Sequence, residues 1–447
     1  MNQKPADLHA PPANAEAAGI SAAEQLTQVK RAARASFIGT TIEWYDYFLY
    51  GTASALIFPR VFFSNLSPGV ATFASLASFS VSWVLRPIGG LIFGHFGDRL
   101  SRKKMLVITL IMMGGSTFLI GALPSYAAAG LIAPILLILL RMVQGLALGG
   151  EWGGAALIVI EHAPPRRRGL FGSAVQMGVP AGLLLSTGVV ALASTLPDEA
   201  FFSWGWRMPF LLSIALVAIG YWLRTALEDP KAFRQQVEET RAAQLPIAEV
   251  LATAKRKTLL LALVQFACNT GYYVFTVYSG SYATQQLGMP RSFLLEALMI
   301  AAVVDLVMQP AFAALSDRIG RKPVYIFGSL FIGAWAFPFF ALLDSETQPL
   351  VWLAMIGALG IGHASTGGIN GPLYTEQYPL RMRYTGASMA FQLSGIVTST
   401  PAPLVAAWVV AATGSTNFVS VYVIAAAVIS VISALLLEET YRKRIDE

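Results

Sequence analysis

The sequence predicts an all-α integral membrane protein in which twelve transmembrane helices form two pseudo-symmetric six-helix bundles. Three observations indicate this fold class: the composition, the number of long apolar runs and a motif that occurs twice. Of the 447 residues, 55% are hydrophobic and 13% are charged, whereas soluble proteins carry about 25% charged residues. Such a chain has too little polar surface to stay in water, which excludes an ordinary soluble enzyme and a disordered chain.

The apolar runs give the number of helices. A helix that crosses a bilayer needs roughly 20 mostly apolar residues, and lipid offers no partner for free backbone groups, so the spans must be helical. The longest polar stretch, from Glu228 to Lys257, divides the runs into two sets of six. The predicted spans are 37–59, 70–95, 105–123, 132–160, 170–195, 207–226, 258–281, 292–315, 324–343, 349–375, 384–411 and 417–437.

The polar segments complete the domain organisation. The N-terminal segment is rich in Ala and Pro and lacks the apolar core of a cleavable signal. The single cysteine, Cys268, excludes a disulfide within the chain. We expect a partly disordered cytoplasmic tail at 1–36, an N-terminal bundle at 37–227, a cytoplasmic central loop at 228–257, a C-terminal bundle at 258–437 and a cytoplasmic tail at 438–447.

The basic residues predict the orientation. With twelve spans, 26 of the 31 Lys and Arg residues lie on the side that holds both termini. On the opposite side lie Arg60, Arg207 and Arg291. The positive-inside rule therefore places both termini in the cytoplasm, and we expect a bacterial inner-membrane protein. Because this topology explains the basic residues, no nucleic-acid partner is predicted.

Two motifs recur at matching places in the two sets of spans. The pattern Asp-Arg-x-x-Arg-Lys at 98–103 returns at 317–322, each time after the second span of its half. The pattern Glu-x-x-Pro-x-Arg-x-Arg at 161–168 returns at 376–383, each time after the fourth span. Two motifs that recur at matching positions indicate two homologous halves, which is typical of transporters built from repeats.

With these motifs, residues 34–437 resemble the major facilitator superfamily. The stretch from Gly94 to Lys103 resembles its signature between spans 2 and 3, and Arg141-x-x-Gln144-Gly145 resembles a second motif. In the second copy Ala313 replaces the usual Gly, so we expect less close helix packing there. More narrowly, the segments 42–51, 85–90, 149–155 and 204–210 resemble the metabolite:proton symporter family, and 94–100 with 149–157 are most similar to its shikimate-transporting members.

The resemblance implies a secondary active transporter rather than an enzyme. Family members take up organic acids and zwitterions, so we expect proton-coupled uptake, by alternating access, of a small organic acid such as shikimate or a related mono- or dicarboxylate. Two alternatives stay open: a carrier for a betaine- or proline-like zwitterion, and a uniporter or exporter without proton symport. The expected partners are the organic acid, protons and the lipid bilayer, with no cofactor other than the coupling proton, no metal, and a monomeric state. No Gly-x-x-x-x-Gly-Lys-Ser/Thr loop occurs, which excludes an ATP motor in this chain.

Ionisable residues within the spans are candidates for proton coupling, because a charge at membrane depth is costly. Glu43 and Asp46 share a face of span 1 and lie at the depth of Arg86 in span 2, so we expect an Arg86–carboxylate pair. Asp305 has no evident Lys or Arg partner in its half and is expected to hold a proton for much of the cycle. The alternatives are a static structural pair for Glu43 and Arg86 and a packing role for the histidine of span 10. The candidates are Glu43, Asp46, Glu151, Asp305 and His363.

Polar residues of the same spans are candidates for binding the substrate. The forked guanidinium of Arg141 suits a carboxylate, although a packing or gating role is the alternative. Asn269, Tyr272 and Tyr273 share one face of span 7. We expect these groups to face one hydrated vestibule between the bundles. The candidates are Arg86, Arg141, Gln144, Trp152, Gln176, Asn269, Tyr272, Tyr273, Gln309, Asn370 and Gln392.

The repeated loop motifs are candidates for a cytoplasmic gate. We expect Arg102 to reach Glu161, and Arg321 to reach Glu376, as clasps that hold the cytoplasmic side closed. The alternative is that the basic residues serve only as topology signals. The gate candidates are Gly94, Asp98, Arg99, Arg102, Lys103, Glu161, Asp317, Arg318, Arg321, Lys322 and Glu376.

Overall fold

The structure is a computed structural model that describes residues 22–99, 102–149, 157, 159–160, 163–226 and 246–442. Across these residues the regular elements are helices, without a strand, and twelve long helical segments follow the predicted spans. The predicted fold class is therefore confirmed. The disorder expected before residue 22 and most of the central loop lie outside the described residues.

The N-terminal half contributes the first six long helices. Short helices at Phe58–Val61, Tyr126–Ala129 and Asp198–Ala200 join some of them. The six are α1 (Ala22–Leu56), α2 (Pro68–Arg99), α3 (Arg102–Ala122), α4 (Ile132–Leu148), α5 (Arg168–Ala193) and α6 (Arg207–Ala226).

The C-terminal half repeats this plan. A short helix, Pro246–Thr253, precedes it, so the end of the expected central loop is helical. The six long helices are α7 (Lys255–Gln285), α8 (Arg291–Ile319), α9 (Arg321–Leu343), α10 (Gln348–Thr375), α11 (Met382–Thr413) and α12 (Asn417–Leu436).

Most of these helices can cross a membrane on their own composition. In the part of the chain that the structure describes, eight helices are long and apolar enough, and a bent pair with a 42° break before α6 makes a ninth. Two shorter apolar helices, Val107–Ala122 and Ile132–Leu148, lie in α3 and α4. Helix α1, which is not among these eight, begins at Ala22, before its predicted span, and buries Tyr47 and Tyr50 among its neighbours. The protein is thus a multi-pass membrane protein.

Glycines let α2 and α4 approach backbone to backbone. A Cβ added at Gly145 would lie 2.6 Å from the carbonyl oxygen of Ser82, and one added at Gly149 would collide with the backbone of Arg86. Small residues allow such contacts in membrane bundles, where close packing replaces the hydrophobic drive between helices.

The two bundles meet along α5 and α8, with further contacts of α1 with α7 and of α2 with α11. The expectation of looser packing at Ala313 is wrong. A Cβ added at Gly169 of α5 would lie 2.5 Å from the Ala313 carbonyl oxygen, because the glycine that permits close approach is on the facing helix.

Three helices of the C-terminal half contain a π-helical segment. These are Val274–Tyr278 in α7, Gly357–His363 in α10 and Gly395–Ser399 in α11. A π-segment inserts an extra residue into the turn and is often found at functional sites. In α10 the segment ends at His363, one of the predicted site residues.

Candidate functional site

A small cavity lies between the two bundles. Its walls come from α1, α2 and α4 on one side and from α11 on the other, so it is an inter-bundle cavity. It contains one predicted proton-coupling residue and two predicted substrate-binding residues. The lining residues are Glu43, Trp44, Tyr47, Arg86, Leu148, Phe391 and Gln392.

Arg86 is the cation of this inter-bundle cavity. It is 5% exposed, and its guanidinium carbon lies 3.6 Å from the ring centroid of Trp83 and 5.0 Å from that of Tyr47. Its Nε has no hydrogen-bond partner among the described residues. Glu43 lines the same cavity and acts on Arg86 through its charge, but the predicted ion pair is not formed: no carboxylate oxygen of the described residues lies within 4.0 Å of the Arg86 guanidinium.

Gln392 joins the bundles at the other wall. Its Nε2 donates to the carbonyl oxygen of Gly149 over 2.9 Å, from α11 to the end of α4. This bond fixes the amide, and its Oε1 has no hydrogen-bond partner within the described part of the chain. The cavity therefore presents this acceptor, together with the Glu43 carboxylate, opposite the Arg86 guanidinium.

A second cluster lies inside the N-terminal bundle. Arg141 has no exposed surface; its Nε and Nη2 donate to the Phe79 carbonyl at 3.3 and 3.2 Å, and its Nη1 donates to Gln144 Oε1 at 3.0 Å. Gln144 in turn donates to Thr117 at 2.8 Å. Asp46, 3% exposed, faces Thr117 and the charge of Arg141. In this arrangement the donors of Arg141 serve the protein's own oxygens.

A third cluster lies inside the C-terminal bundle. His363 Nδ1 of α10 and Asp305 Oδ2 of α8 are 2.7 Å apart, and Gln309 Nε2 donates to Asp305 Oδ1 over 3.1 Å. No Lys or Arg of the described residues pairs with Asp305, as expected, but the carboxylate is not left alone, since the π-segment of α10 places an imidazole beside it. The ring of Tyr272 lies 4.3 Å from that of His363, and the Tyr272 hydroxyl has no hydrogen-bond partner among the described groups.

An aromatic layer separates the three clusters. Rings from α1 and α7 meet across the interface, with 5.5 Å between the centroids of Phe48 and Tyr272 and 6.1 Å between those of Tyr47 and Tyr273. Phe79 of α2 packs against both Tyr47 and Tyr273. Among the described residues, these packed rings therefore fill the space where the faces of Tyr47, Tyr272 and Tyr273 were expected to line one vestibule.

The remaining predicted binding residues lie near the contacts between helices. Gln176 of α5 donates to the Gly367 carbonyl of α10 over 3.2 Å, which ties the bundles together. Asn269 donates to Thr398 over 2.8 Å within the C-terminal half. Asn370 is buried, and its Oδ1 lacks a partner in the described ranges. Trp152 and Glu151 lie outside the described residues.

The second copy of the loop motif forms an ion cluster that bridges the bundles. The predicted Arg321–Glu376 contact is present, with Nη2–Oε1 and Nε–Oε2 distances of 3.1 and 3.3 Å. Asp317 pairs with Arg321 at 2.7 Å and also accepts the backbone N–H groups of Gly169 and Leu170 at 2.8 and 3.0 Å. Asp317 therefore caps α5, a helix of the other bundle. We call Asp317, Arg321, Glu376 and the first turn of α5 the Asp317 latch.

The other gate candidates have different outcomes. Arg318 is exposed, and Lys322 donates to the carbonyls of Leu435 and Leu437 at 2.9 and 2.6 Å. In the first copy, Gly94, Asp98 and Arg99 end α2 and Arg102 and Lys103 begin α3, but their side chains are outside the described set, as is Glu161.

Two contacts were missed by the sequence analysis. Glu439 accepts the backbone N–H groups of Arg321 and Lys322 at 3.0 and 2.9 Å and so caps α9, although only its place after the last span could have indicated this. At the other end of the interface, Arg291 pairs with Asp198 at 2.8 Å and lies 4.0 Å from the ring centroid of Phe201. Arg291 is one of the three basic residues on the outer side of the predicted topology, and that rarity was the available signal.

Two six-helix bundles that meet around buried ionisable groups define a membrane transporter rather than an enzyme. The chain belongs to the Major Facilitator Superfamily, whose sequence description matches residues 37–400. The shikimate transporter of Escherichia coli (strain K12) is 41% identical over 423 residues, which cover 93% of this chain and 96% of the relative.

A second relative and one solved structure are also similar to the chain. The glycine betaine/proline/ectoine/pipecolic acid transporter OusA of Dickeya dadantii (strain 3937) is 38% identical, over 93% of this chain and 84% of the relative. The partially occluded inward-open structure of the xylose transporter XylE from E. coli shares the fold, with a TM-score of 0.66 at 18% identity, over 93% of this chain and 99% of that one. The family predicted from the motifs is confirmed.

Proposed function

We propose that this transporter is a proton-coupled symporter that takes up a small organic acid, such as shikimate or a related mono- or dicarboxylate, by alternating access. The observation that carries the proton coupling is the Asp305–His363 pair. Its two titratable groups are 0% and 6% exposed and touch through Asp305 Oδ2 and His363 Nδ1. When the pair shares one proton it has no net charge, whereas loss of that proton leaves a buried anion. A buried anion is costly at membrane depth, so this pair is the candidate carrier of the coupling proton.

Two buried arginines support an anionic substrate. Neither Arg86 nor Arg141 has a carboxylate oxygen within 4.0 Å among the described residues. A path with two guanidinium groups that make no direct ion pair with the described residues attracts an anion, and a guanidinium binds a carboxylate through two parallel hydrogen bonds. The relationship to a shikimate transporter supports the same substrate class.

A zwitterion is the alternative substrate. The related OusA is named as a transporter of glycine betaine, proline, ectoine and pipecolic acid, and such molecules also carry a carboxylate for an arginine. A uniporter or exporter without proton symport is the other alternative on this fold. We further propose that the protein works as a monomer in a bacterial inner membrane with both termini in the cytoplasm, without a cofactor other than the proton and without nucleic acid.

Uptake into proteoliposomes tests the proposal. A thermal-shift screen against organic acids, betaines and amino acids selects the compounds, and uptake of labelled shikimate, proline and betaine is then measured with and without a pH gradient. We expect shikimate or a related acid to accumulate only with the gradient. Accumulation of betaine or proline alone would favour the zwitterion carrier, and acid entry that ignores the gradient would exclude symport.

Variants of the buried pair test the proton site. We expect Asp305→Asn and His363→Gln to lose gradient-driven accumulation while they still exchange substrate across the membrane. Asp344→Asn is the matched control, because Asp344 is an exposed acid at the end of α9. Full accumulation by both pair variants would show that the proton travels elsewhere.

A further inference from the structure

We propose that the N-terminal arm of α1 and the turn before α5 together form a binding surface for anionic phospholipid headgroups. The arm is the part of α1 from Ala22 to Ser36, which precedes the predicted span. The inference depends neither on the substrate nor on the proton site, and its place in the cytoplasmic leaflet rests on the proposed orientation. The surface, which we call the basic patch, consists of Lys30, Arg31, Arg34, Arg166 and Arg167.

The apolar side of the arm holds it against α5. Val29 and Ala33 lie about one helical turn apart and are 0% and 8% exposed. Ala33 belongs to a small apolar cluster with Val175, against which Phe171 packs, and both of these residues lie on α5. Helix α1 packs along α5, so the arm has a defined position on that helix.

The other side of the arm is basic. Lys30, Arg31 and Arg34 are exposed and fall within a helical stripe about 100° wide. Arg166 and Arg167 are also exposed and lie in the short 3₁₀ helix directly before α5, about one turn from the α5 residues on which the arm packs. The basic side chains therefore gather at the same end of two neighbouring helices.

Among the described residues, no protein carboxylate pairs with the basic patch. None of its side chains has a carboxylate oxygen within 4.0 Å in that part of the chain, and the sequence has no Asp or Glu at 25–42 or at 162–197. Asp317, which accepts from the first turn of α5, is already paired with Arg321 at 2.7 Å. A cluster of about four to eight Lys and Arg residues beside a transmembrane helix is typical of surfaces that bind anionic lipids.

The basic patch lies at the depth of the lipid headgroups. Arg34 and Arg167 each stand three residues before a predicted span, at 37 and at 170. With a rise of about 1.5 Å per residue, their backbones lie about 5 Å outside the hydrocarbon core. The headgroup layer is about 5–8 Å thick on each side, so these guanidinium groups meet lipid phosphates, which they bind through paired hydrogen bonds. Lys30 and Arg31 lie about 10 Å out, where a charged surface still attracts them.

Basic residues beside a span also act as topology signals, and that role needs no fixed arrangement. The basic patch differs because the packing of α1 on α5 gathers it from two segments that are far apart in sequence. Lys255 and Arg256, which are exposed at the start of α7, have the same charge and exposure but belong to one segment. They are therefore the matched control pair.

The test measures lipid contact at the arm of the purified full chain in detergent. In a Cys268→Ser background, a bimane fluorophore is attached at Gln28→Cys, an exposed position of the arm. Phosphatidylglycerol with a nitroxide on its acyl chain, near the headgroup, quenches the dye on contact, and the same nitroxide on phosphatidylcholine is the control lipid. We expect quenching at a far lower concentration of phosphatidylglycerol, and the preference should fall at high salt.

Charge variants locate the contact. Each Lys or Arg near an anionic surface contributes about fivefold in affinity, so Arg31→Gln with Arg34→Gln should raise the half-quenching concentration of phosphatidylglycerol about 25-fold. Lys255→Gln with Arg256→Gln should stay within about twofold of the wild type, because this pair lies outside the basic patch. Equal quenching by the two lipids, or the same loss in the control pair, would overturn the inference.

A second pair of changes covers the case in which the first disturbs the arm. Arg166→Gln with Arg167→Gln leaves α1 intact and should weaken the contact by a similar factor, while the Tm in phosphatidylcholine reports folding. Failure of this pair to weaken the contact would also contradict the inference.

Inorganic phosphate separates a lipid surface from a site for free anions. At equal ionic strength, phosphate should displace no more lipid than sodium chloride does, and stronger displacement by phosphate would refute a lipid surface. The measurement in detergent involves neither transport nor sidedness, so its failure leaves the proposed function untouched. Labelling of Gln28→Cys in intact cells by an impermeant maleimide would instead contradict the proposed orientation.

Discussion

The Asp317 latch gives a prediction whose size follows from its geometry. Asp317 reaches across the interface to the N–H groups of Gly169 and Leu170 at 2.8 and 3.0 Å. Its side chain is 6% exposed, so water screens these contacts little. The perturbation is Asp317→Asn, which preserves the shape but removes the charge from the end of α5.

The Asp317→Asn change removes stabilisation from the arrangement in which Asp317 contacts α5. The pair with Arg321 lies within the C-terminal half, so of the contacts of Asp317 only the bonds to α5 are lost in the proposed parting of the bundles. A hydrogen bond to a charged group contributes about 1.5–3 kcal/mol, and a charge at a helix N-terminus about 0.3–1 kcal/mol. An asparagine retains one acceptor, so we expect a net loss of about 2 kcal/mol. This shifts the closed–open equilibrium by about thirtyfold.

The assay is the accessibility of a cysteine in the interface. Ser173 lies one turn after Gly169 on α5 and has no exposed surface, so Ser173→Cys is introduced into a Cys268→Ser background. The rate of maleimide labelling then reports the open population, and Asp317→Asn should raise it about thirtyfold. Glu346→Gln, at an exposed acid after α9, should leave it unchanged. A rate for Asp317→Asn within about twofold of that control would refute the reasoning, since thirtyfold is expected.

Three smaller changes test other contacts. Gly395→Ala drives a Cβ into the ring of Trp83 across the interface, and we expect a loss of about 1–3 kcal/mol, seen as a lower Tm in detergent. Glu439→Gln weakens the cap of α9, at 3.0 and 2.9 Å from two backbone N–H groups, and should lower stability by about 1 kcal/mol in the same assay. Asp198→Asn breaks the pair with Arg291, but Asp198 is 71% exposed. It should therefore cost less than about 1 kcal/mol, and the effect should vanish at high salt.

Controls are available for each change. Gly115→Ala adds a Cβ that meets nothing within 4 Å, so its Tm should stay that of the wild type. Glu346→Gln is again the control variant, here for the Glu439→Gln change at the cap of α9. For Asp198→Asn the readout is labelling of Ser281→Cys, which lies on the same side of the interface next to Ala55. A Gly395→Ala protein as stable as Gly115→Ala would contradict the packing described at Trp83.

The sequence was sufficient for the helices, the two halves and one ionic contact. The repeated motif predicted that Arg321 reaches Glu376, because each copy places a basic loop beside the end of the fourth span of its half. It could not predict that Asp317 caps α5 of the opposite bundle. Residues 169 and 317 are far apart in sequence, and only the packing of α5 on α8 brings them together.

The arrangement of the candidate site was less predictable. Asp305 and His363 were both identified, but as separate groups, because periodicity within one helix does not show which helices face each other. The π-segment that ends at His363 also changes the face that α10 presents. The same limit applies to the prediction that the candidates face one common vestibule. Tyr272 and Tyr273 read as polar cavity residues, yet their rings pack with Phe48 and Tyr47 and close the space.

The glycine contacts between α2 and α4 affect how this transporter can be inhibited. At Gly145 and Gly149 the backbone of α4 touches that of α2. No side chains lie between the two helices there that could rearrange, so a drug fragment or lipid tail has no space to bind between them. Helices α2 and α4 therefore form one tightly packed pair. A blocking compound has to bind instead at the interface between the two bundles, and screening is best directed there.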